Sequence, residues 1–404
     1  MFIFYKERMF SLNLGKLNRC DWYLILWFLY YLQGILYASG DILSMSLLGI
    51  IVVISLYYAV QVKRMKNKPV FFKGLSLLLF LFTVYGFSLI IMHPGVVFYP
   101  KASYSLPSYM YIKQIYLSLL PIFSFYYYTI KGYLTEKRLC IWIYFFFISA
   151  LLSFYRYQID NAGDDSEEVT NNMGYLFLSL IPSLLLFRRN AMKMYLGLFV
   201  ILVYLVLGMK RGAIIVGAIC MLYFLFSSIR RSHGVTKIKY IFFTIVLAVV
   251  GFYFVMYQMA TSEYLNKRIE DTMEGDSSNR DDIYTSFWNL FFSQADVTNF
   301  VFGFGANGTL ENLGYFAHND WLEIMINQGI IGFFIFLYFF VCYYKSWKNS
   351  INIEAKTALA ITGFIVLVRS FFSMSYGDMT YMFTSVLGYY LAISNIIPSK
   401  LHSN

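Results

Sequence analysis

Apolar runs recur along almost the whole chain, most of them 17 residues or longer. Runs of that length reach across ~30 Å of hydrocarbon when helical. They predict twelve helical spans, at 22–39, 43–61, 72–92, 111–130, 139–155, 173–187, 194–209, 212–228, 240–258, 322–344, 357–373 and 380–397. The expected fold is therefore all-α, a polytopic integral membrane protein forming a single membrane domain over residues 1–404. Two polar segments interrupt the pattern. Residues 156–172 (RYQIDNAGDDSEEVTNN) are short and acidic, whereas residues 259–321 form a much longer, mixed segment. Within it, SSNRDD (277–282) offers helix caps and first-turn carboxylates, followed by Ile283, Phe287, Leu290 and Phe291 at helical spacing. This loop is expected to carry short helices and to lie folded on the bilayer.

Composition agrees with the pattern: 59% hydrophobic, 21% aromatic and 13% charged, with mean hydropathy +0.59. A soluble domain of this size carries ~25% charged residues. Residues 1–20 hold charges without an apolar core and small-residue cleavage site, so no cleavable signal peptide is expected. Cys20, Cys140, Cys220 and Cys342 are far apart in sequence and suggest neither a disulfide framework nor a thiolate metal site.

The net charge of +10 is a matter of sidedness. With a cytoplasmic N-terminus, the inner side collects KRMKNK (63–68), KGYLTEKR (131–138), RRNAMK (188–193) and RRSHGVTKIK (230–239). Of the 32 Lys and Arg, 23 then fall inside, and of the 22 Asp and Glu, 18 fall outside. That bias orients the chain with both termini cytoplasmic and the long loop outside. The basic charge is thus a topology signal that also favours anionic lipid, and it does not call for nucleic acid.

Cations on the outer side run against this bias and are the candidates for chemistry. Arg211, in VLGMKRGAII, reads either as a snorkelling helix cap or as an anion site held by a Gly-flanked turn. Lys210 beside it reads as an interfacial anchor or a second substrate contact. Arg369, near the outer end of its span, carries a charge that usually faces a polar cavity. Arg280 stands at the start of the loop helix, where amides and a guanidinium make a phosphate cradle, or where it pairs with Asp281 or Asp282. Lys267 and Arg268 look surface-like. His318 opens the tenth span beside Asn319 and Asp320, and its ordinary pKa near 6.5 suits a general base. His93, His233 and His402 sit in unremarkable contexts. Asn319 or Asp320 is expected to cap this span, with Glu323 in its first turns as scaffolding.

Other motifs fail on context. GFGANG (303–308) matches the dinucleotide fingerprint in letters but lacks the surrounding strand–turn–helix unit, and reads as a tight turn. There is no HExxH or DxD, and His318 with Asp320 and Glu323 is a weak metal constellation, so neither metal nor cofactor is expected.

KRG after a mid-chain span, SNR in a long loop, and VFGFGANG…AHNDWLEIMINQGIIG together resemble the O-antigen ligase/polymerase superfamily, most closely Wzy-type polysaccharide polymerases. The likeness covers about residues 170–345, and its G-x-G…HN-x-x-L-E…G-x-x-G block is the specific part. Family members usually show Ser-Arg-Gly where this chain has Lys210-Arg211-Gly212, and Ser-Gly-Arg where it has Ser278-Asn279-Arg280. The resemblance implies a metal-independent, GT-C-like glycosyltransferase of the bacterial inner membrane. Its substrates would be oligosaccharides on undecaprenyl pyrophosphate, with a chain-length regulator and a flippase as further partners. Arg211 and Arg280 would hold the pyrophosphate and His318 would activate the acceptor hydroxyl, with Arg369, Asn319 and Lys210 as further substrate contacts. A ligase of the same superfamily is the alternative. A lipid-linked oligosaccharide flippase fits less well, because the two halves show no repeat. A purely structural membrane subunit is the remaining alternative.

Overall fold

The computed structural model describes residues 17–36, 42–161, 171–262, 266–267, 270, 280–373 and 375–395. The extreme N-terminus, most of the acidic 156–172 segment, Arg268, the Ser277–Asn279 capping positions and the C-terminal tail with His402 lie outside the described residues.

Helices dominate. The first half holds α1 (Arg19–Leu36), α2 (Ile42–Arg64), α3 (Phe71–Met92), α4 (Tyr109–Leu119), α5 (Pro121–Ile130) and α6 (Glu136–Asn161). The second half holds α7 (Gly174–Leu180), continued by a 3₁₀ segment to Phe187, then α8 (Ala191–Leu207), α9 (Arg211–Arg231) and α10 (Gly234–Thr261). The loop contributes α11 (Arg280–Asn289), which runs into a π turn at 290–294, with α12 (Val297–Phe302) and α13 (Gly308–Asn312). The chain ends with α14 (Asp320–Lys348), α15 (Ile353–Phe372) and α16 (Tyr381–Ile393).

Seven of these helices are long and apolar enough to cross a membrane, and three further apolar helical segments are shorter. Each of the twelve predicted runs falls on helix, but length and composition alone qualify seven of them as spans. Pro121 accounts for one interruption: it lacks the N–H that would continue α4 and is well suited to the first position of α5. The all-α expectation holds for the membrane domain. Between α3 and α4 the chain also forms a short antiparallel hairpin, β1 (Val96–Tyr99) with β2 (Tyr104–Pro107), Tyr99 opposite Tyr104.

Small residues set the closest helix contacts, as expected where helices associate without a hydrophobic drive from water. A Cβ at Gly74 would come within 2.9 Å of the Phe339 Cα, so α3 and α14 meet almost backbone to backbone. Gly388 gives α16 the same approach to α5, where a Cβ would meet the Tyr126 N at 2.9 Å. The main core includes Tyr23, Phe72, Phe123, Phe146, Tyr381 and Tyr390, all nearly inaccessible. By contrast, α10 buries only Tyr240, Leu247 and Gly251 and leaves Phe242, Ile245, Val249 and Phe252 exposed, the surface of a peripheral helix facing lipid. A second, smaller core lies under the long loop. Phe287, Leu290 and Phe291, the predicted apolar stripe, pack with Ala317, Leu322, Met325 and Ile326 of the α14 head.

The tenth apolar run, read as one continuous span, breaks at Gly329 (φ 68°, ψ −166°). The Ile326 and Asn327 carbonyls there accept from the Phe304 N–H at 2.8 Å and the Gly305 N–H at 3.0 Å. The GFGANG turn thus satisfies the carbonyls of a broken helix, which hydrocarbon could not do. Gly303 (φ 80°) is required here twice over, since a Cβ would also lie 2.4 Å from the Asn327 carbonyl carbon.

Candidate functional site

The head of α14 is built from polar groups that hold one another. Asn319 caps the helix, its side-chain oxygen accepting from the Trp321 N–H at 2.9 Å and the Leu322 N–H at 3.2 Å. Glu323, inaccessible to solvent, accepts from the Ala317 N–H at 2.9 Å, the Asn327 amide at 3.1 Å and the Thr309 hydroxyl. Asn327 in turn accepts from the Thr309 N–H at 3.1 Å, tying α13 to α14. Asp320, also inaccessible, accepts from the Ser375 N–H at 2.9 Å and from the Ser375 hydroxyl. The two carboxylates therefore pin two different loops to one helix start.

Between these anchors lies His318, at φ 50° in the left-handed region that a non-glycine residue enters only at a cost. Its neighbours are fixed on both sides: the Ala317 amide by Glu323, and Asn319 by its cap. His318 lines a cavity of about 410 Å³ together with Lys210, Tyr175, Arg369, Asp378 and Gln114. Its pKa is lowered from 6.5, first by partial burial and then by the charges of Lys210 and Arg280. The imidazole is accordingly neutral at pH 7 and available to accept a proton.

Lys210 is the N-cap residue of α9, reached through a turn in which Met209 has φ 50°. Arg211 follows as the first residue of that helix; it is half-buried and outside the cavity wall. Gly212 has a packing reason: a Cβ there would lie 2.8 Å from the Tyr175 hydroxyl. The Tyr175 ring carries the Arg369 guanidinium 4.5 Å from its centroid, and Arg369 Nη2 donates to Asp378 Oδ2 at 2.6 Å. Arg369, only 8% exposed, is thus tolerated in the last turn of α15 by a ring face, a carboxylate and the helix dipole. Asp378 lies on the loop that Asp320 holds through Ser375.

Arg280 is the first residue of α11 and half-buried. No ion pair joins it to Asp281 or Asp282 among the described residues. It is within electrostatic reach of both His318 and Tyr175. Of the six residues singled out in the sequence, the cavity wall unites His318, Lys210 and Arg369. Arg211 and Arg280 stand beside it, and the Asn319 side-chain oxygen is engaged in capping. Tyr175 and Asp378 were missed. One tyrosine among 37 in an apolar run carries no signal, and Asp378 becomes visible only as the counter-ion of Arg369.

Such a wall suits an anionic leaving group and a hydroxyl nucleophile: cations to hold negative charge and a neutral base to take a proton. Among the described residues, no three His, Cys, Asp or Glu side chains gather closely enough to hold a metal ion.

Residues 196–337 match a protein-family model described as O-antigen ligase. The match begins within α8 and ends within α14, so it takes in Lys210, Arg211, Arg280 and His318 and leaves Tyr175, Arg369 and Asp378 outside. No curated protein matches the chain.

Proposed function

We propose that this chain, which belongs to the O-antigen ligase/polymerase superfamily through residues 196–337, is a membrane glycosyltransferase that polymerises lipid-linked oligosaccharide repeats. The donor is an oligosaccharide on undecaprenyl pyrophosphate, and the reaction takes place on the outer face of the inner membrane. The acceptor hydroxyl oxygen attacks the anomeric carbon of the donor, the bond from that carbon to the pyrophosphate oxygen breaks, and undecaprenyl pyrophosphate leaves. His318 takes the hydroxyl proton. Lys210 and Arg280, with Arg211 behind them, meet the charge that develops on the leaving group, and Arg369 on its Tyr175 platform orients the saccharide or its phosphates. The observation that carries this reading is the single cavity wall shared by His318, Lys210 and Arg369. A base in this position contributes ~10²–10⁴-fold.

The description of the matched family favours a second reading, transfer of a finished polymer to lipid A core. Deleting the gene and resolving the surface glycolipid by electrophoresis separates the two. Loss of a polymerase leaves core bearing a single repeat, whereas loss of a ligase leaves bare core while polymer accumulates on undecaprenyl pyrophosphate. Single repeats stalled on the inner face would instead mark a flippase.

A further inference from the structure

A second polar cavity lies at the opposite end of α8. It encloses about 500 Å³ between the Arg188–Met192 turn and the start of α10, and its wall includes Arg188, Arg189, Lys239, Asn190 and Thr236. The 17 residues of α8 separate it from the Lys210 turn, a distance of ~25 Å at 1.5 Å per residue. The cavity therefore sits near the opposite face of a ~30 Å hydrocarbon core from the wall that holds His318.

Its frame is built. Tyr240 donates its hydroxyl to the Arg188 carbonyl, and Tyr195 donates to the Tyr240 carbonyl at 2.8 Å. Asn190 caps α8 by accepting from the Lys193 N–H at 3.1 Å. Three cations face the cavity and no carboxylate lines it among the described residues; Glu354, on the first turn of α15, pairs with Arg188 from outside the wall. The same wall has an apolar lip: Met192 is 71% and Phe242 60% exposed. Phe242 begins the lipid-facing stripe of α10 that continues through Ile245, Val249 and Phe252.

We infer that this cavity binds the phosphate headgroup of an anionic phospholipid, with an acyl chain lying along Met192 and the exposed face of α10. The cations alone would suit any phosphate. The apolar lip leading directly from them onto the helix surface selects a lipid, because a free anion gains nothing from it. On the charge-derived orientation this is the cytoplasmic leaflet, whose anionic lipids such a pocket would retain.

Native mass spectrometry of the purified full chain tests this with dioctanoyl phosphatidylglycerol as the probe and dioctanoyl phosphatidylcholine as the zwitterionic control. The expected result is at least tenfold tighter retention of phosphatidylglycerol, undiminished by millimolar inorganic phosphate. Arg189→Gln combined with Lys239→Gln should weaken that retention by roughly tenfold or more. Thr236→Glu, an exposed position on the same wall, should do the same should the double variant fail to fold. Equal retention of the two lipids, or variants that retain phosphatidylglycerol like the parent, would overturn the inference. Displacement of the lipid by inorganic phosphate would also overturn it, because the site would then be one for a free anion.

Discussion

The head of α14 and the cavity rim beside it use polar side chains in opposite ways. At the head, Glu323 and Asp320 are inaccessible, and each accepts from more than one donor, so their oxygens are engaged in holding the neighbouring chain. At the rim, Lys210 and Arg280 act on His318 with the same sign, and their effect is to keep an imidazole neutral. The first arrangement gains stability from complementary partners; the second sets like charges around an imidazole. Within a few residues of sequence, the scaffold falls to carboxylates and the proposed chemistry to an imidazole.

Breaking the rim should therefore abolish activity while leaving the protein intact. His318→Ala, Arg280→Ala and Arg211→Ala are each expected to stop chain growth, a loss of ~10²-fold or more for the base, with membrane insertion unchanged. Polymer of normal modal length from well-expressed variants at all three positions would remove the rim from the reaction.

Breaking the head should do the reverse. Glu323→Ala leaves the Ala317 N–H, the Asn327 amide and the Thr309 hydroxyl without their buried acceptor, at ~1–3 kcal/mol for each group. The expected outcome is a lower melting temperature and proteolysis within 280–317, with activity lost in proportion to folded protein. Glu323→Gln keeps one acceptor oxygen and should fall between. A fully folded, inactive Glu323→Ala would make this carboxylate part of the chemistry instead.

How much of this could be read in the sequence follows the same division. Helical runs, the apolar stripe of α11, the tight GFGANG turn and the Asn319 cap all come from local patterns, which periodicity and capping chemistry reveal. The break at Gly329 was within reach, since a glycine interrupts the apolar run at MINQGIIG, but its partner was not. That partner, Phe304 and Gly305, lies more than 20 residues away and is paired only by the fold. The hairpin at 96–107 is likewise tertiary: Tyr99 accepts from the Asn307 amide at 2.9 Å, so it is anchored by the loop it supports. Tyr175 and Asp378 were illegible for the same reason, because each is defined by Arg369 and not by its own neighbours in sequence.

A smaller effect probes the Arg369 platform, where the comparison is between a buried cation and its exposed counter-ion. The Asp378 side chain is 66% exposed while that of Arg369 is 9% exposed, so Asp378→Asn removes a screened attraction but leaves the guanidinium on the Tyr175 ring. Stability should fall by less than ~1 kcal/mol. Gly212→Ala should matter more to the site, because its Cβ would collide with the Tyr175 hydroxyl and tilt the platform. Substrate affinity is expected to weaken in Gly212→Ala with little change in melting temperature; unchanged affinity would detach Tyr175 from substrate binding.

The finest test concerns the sign of the rim. A lowered pKa means that His318 stays neutral below its ordinary value of 6.5, so the proton-accepting form persists as pH falls from 6.5 to the lowered value and is lost only beneath it. Lys210→Met removes the larger of the two charge effects, which rank after burial, and keeps the side chain's length. The His318 titration, followed by NMR with His318→Gln to assign the resonance, should then move upward toward 6.5, and the acid limb of the rate profile should follow it. Arg280→Met should act in the same direction and more weakly, since its charge contributes less than that of Lys210. High salt should shrink both shifts if the charges act through water, and leave them if they act across the drier cavity. A titration that moves downward in Lys210→Met would mean that the lysine holds a partner near the imidazole, and that like charge is not what keeps His318 neutral.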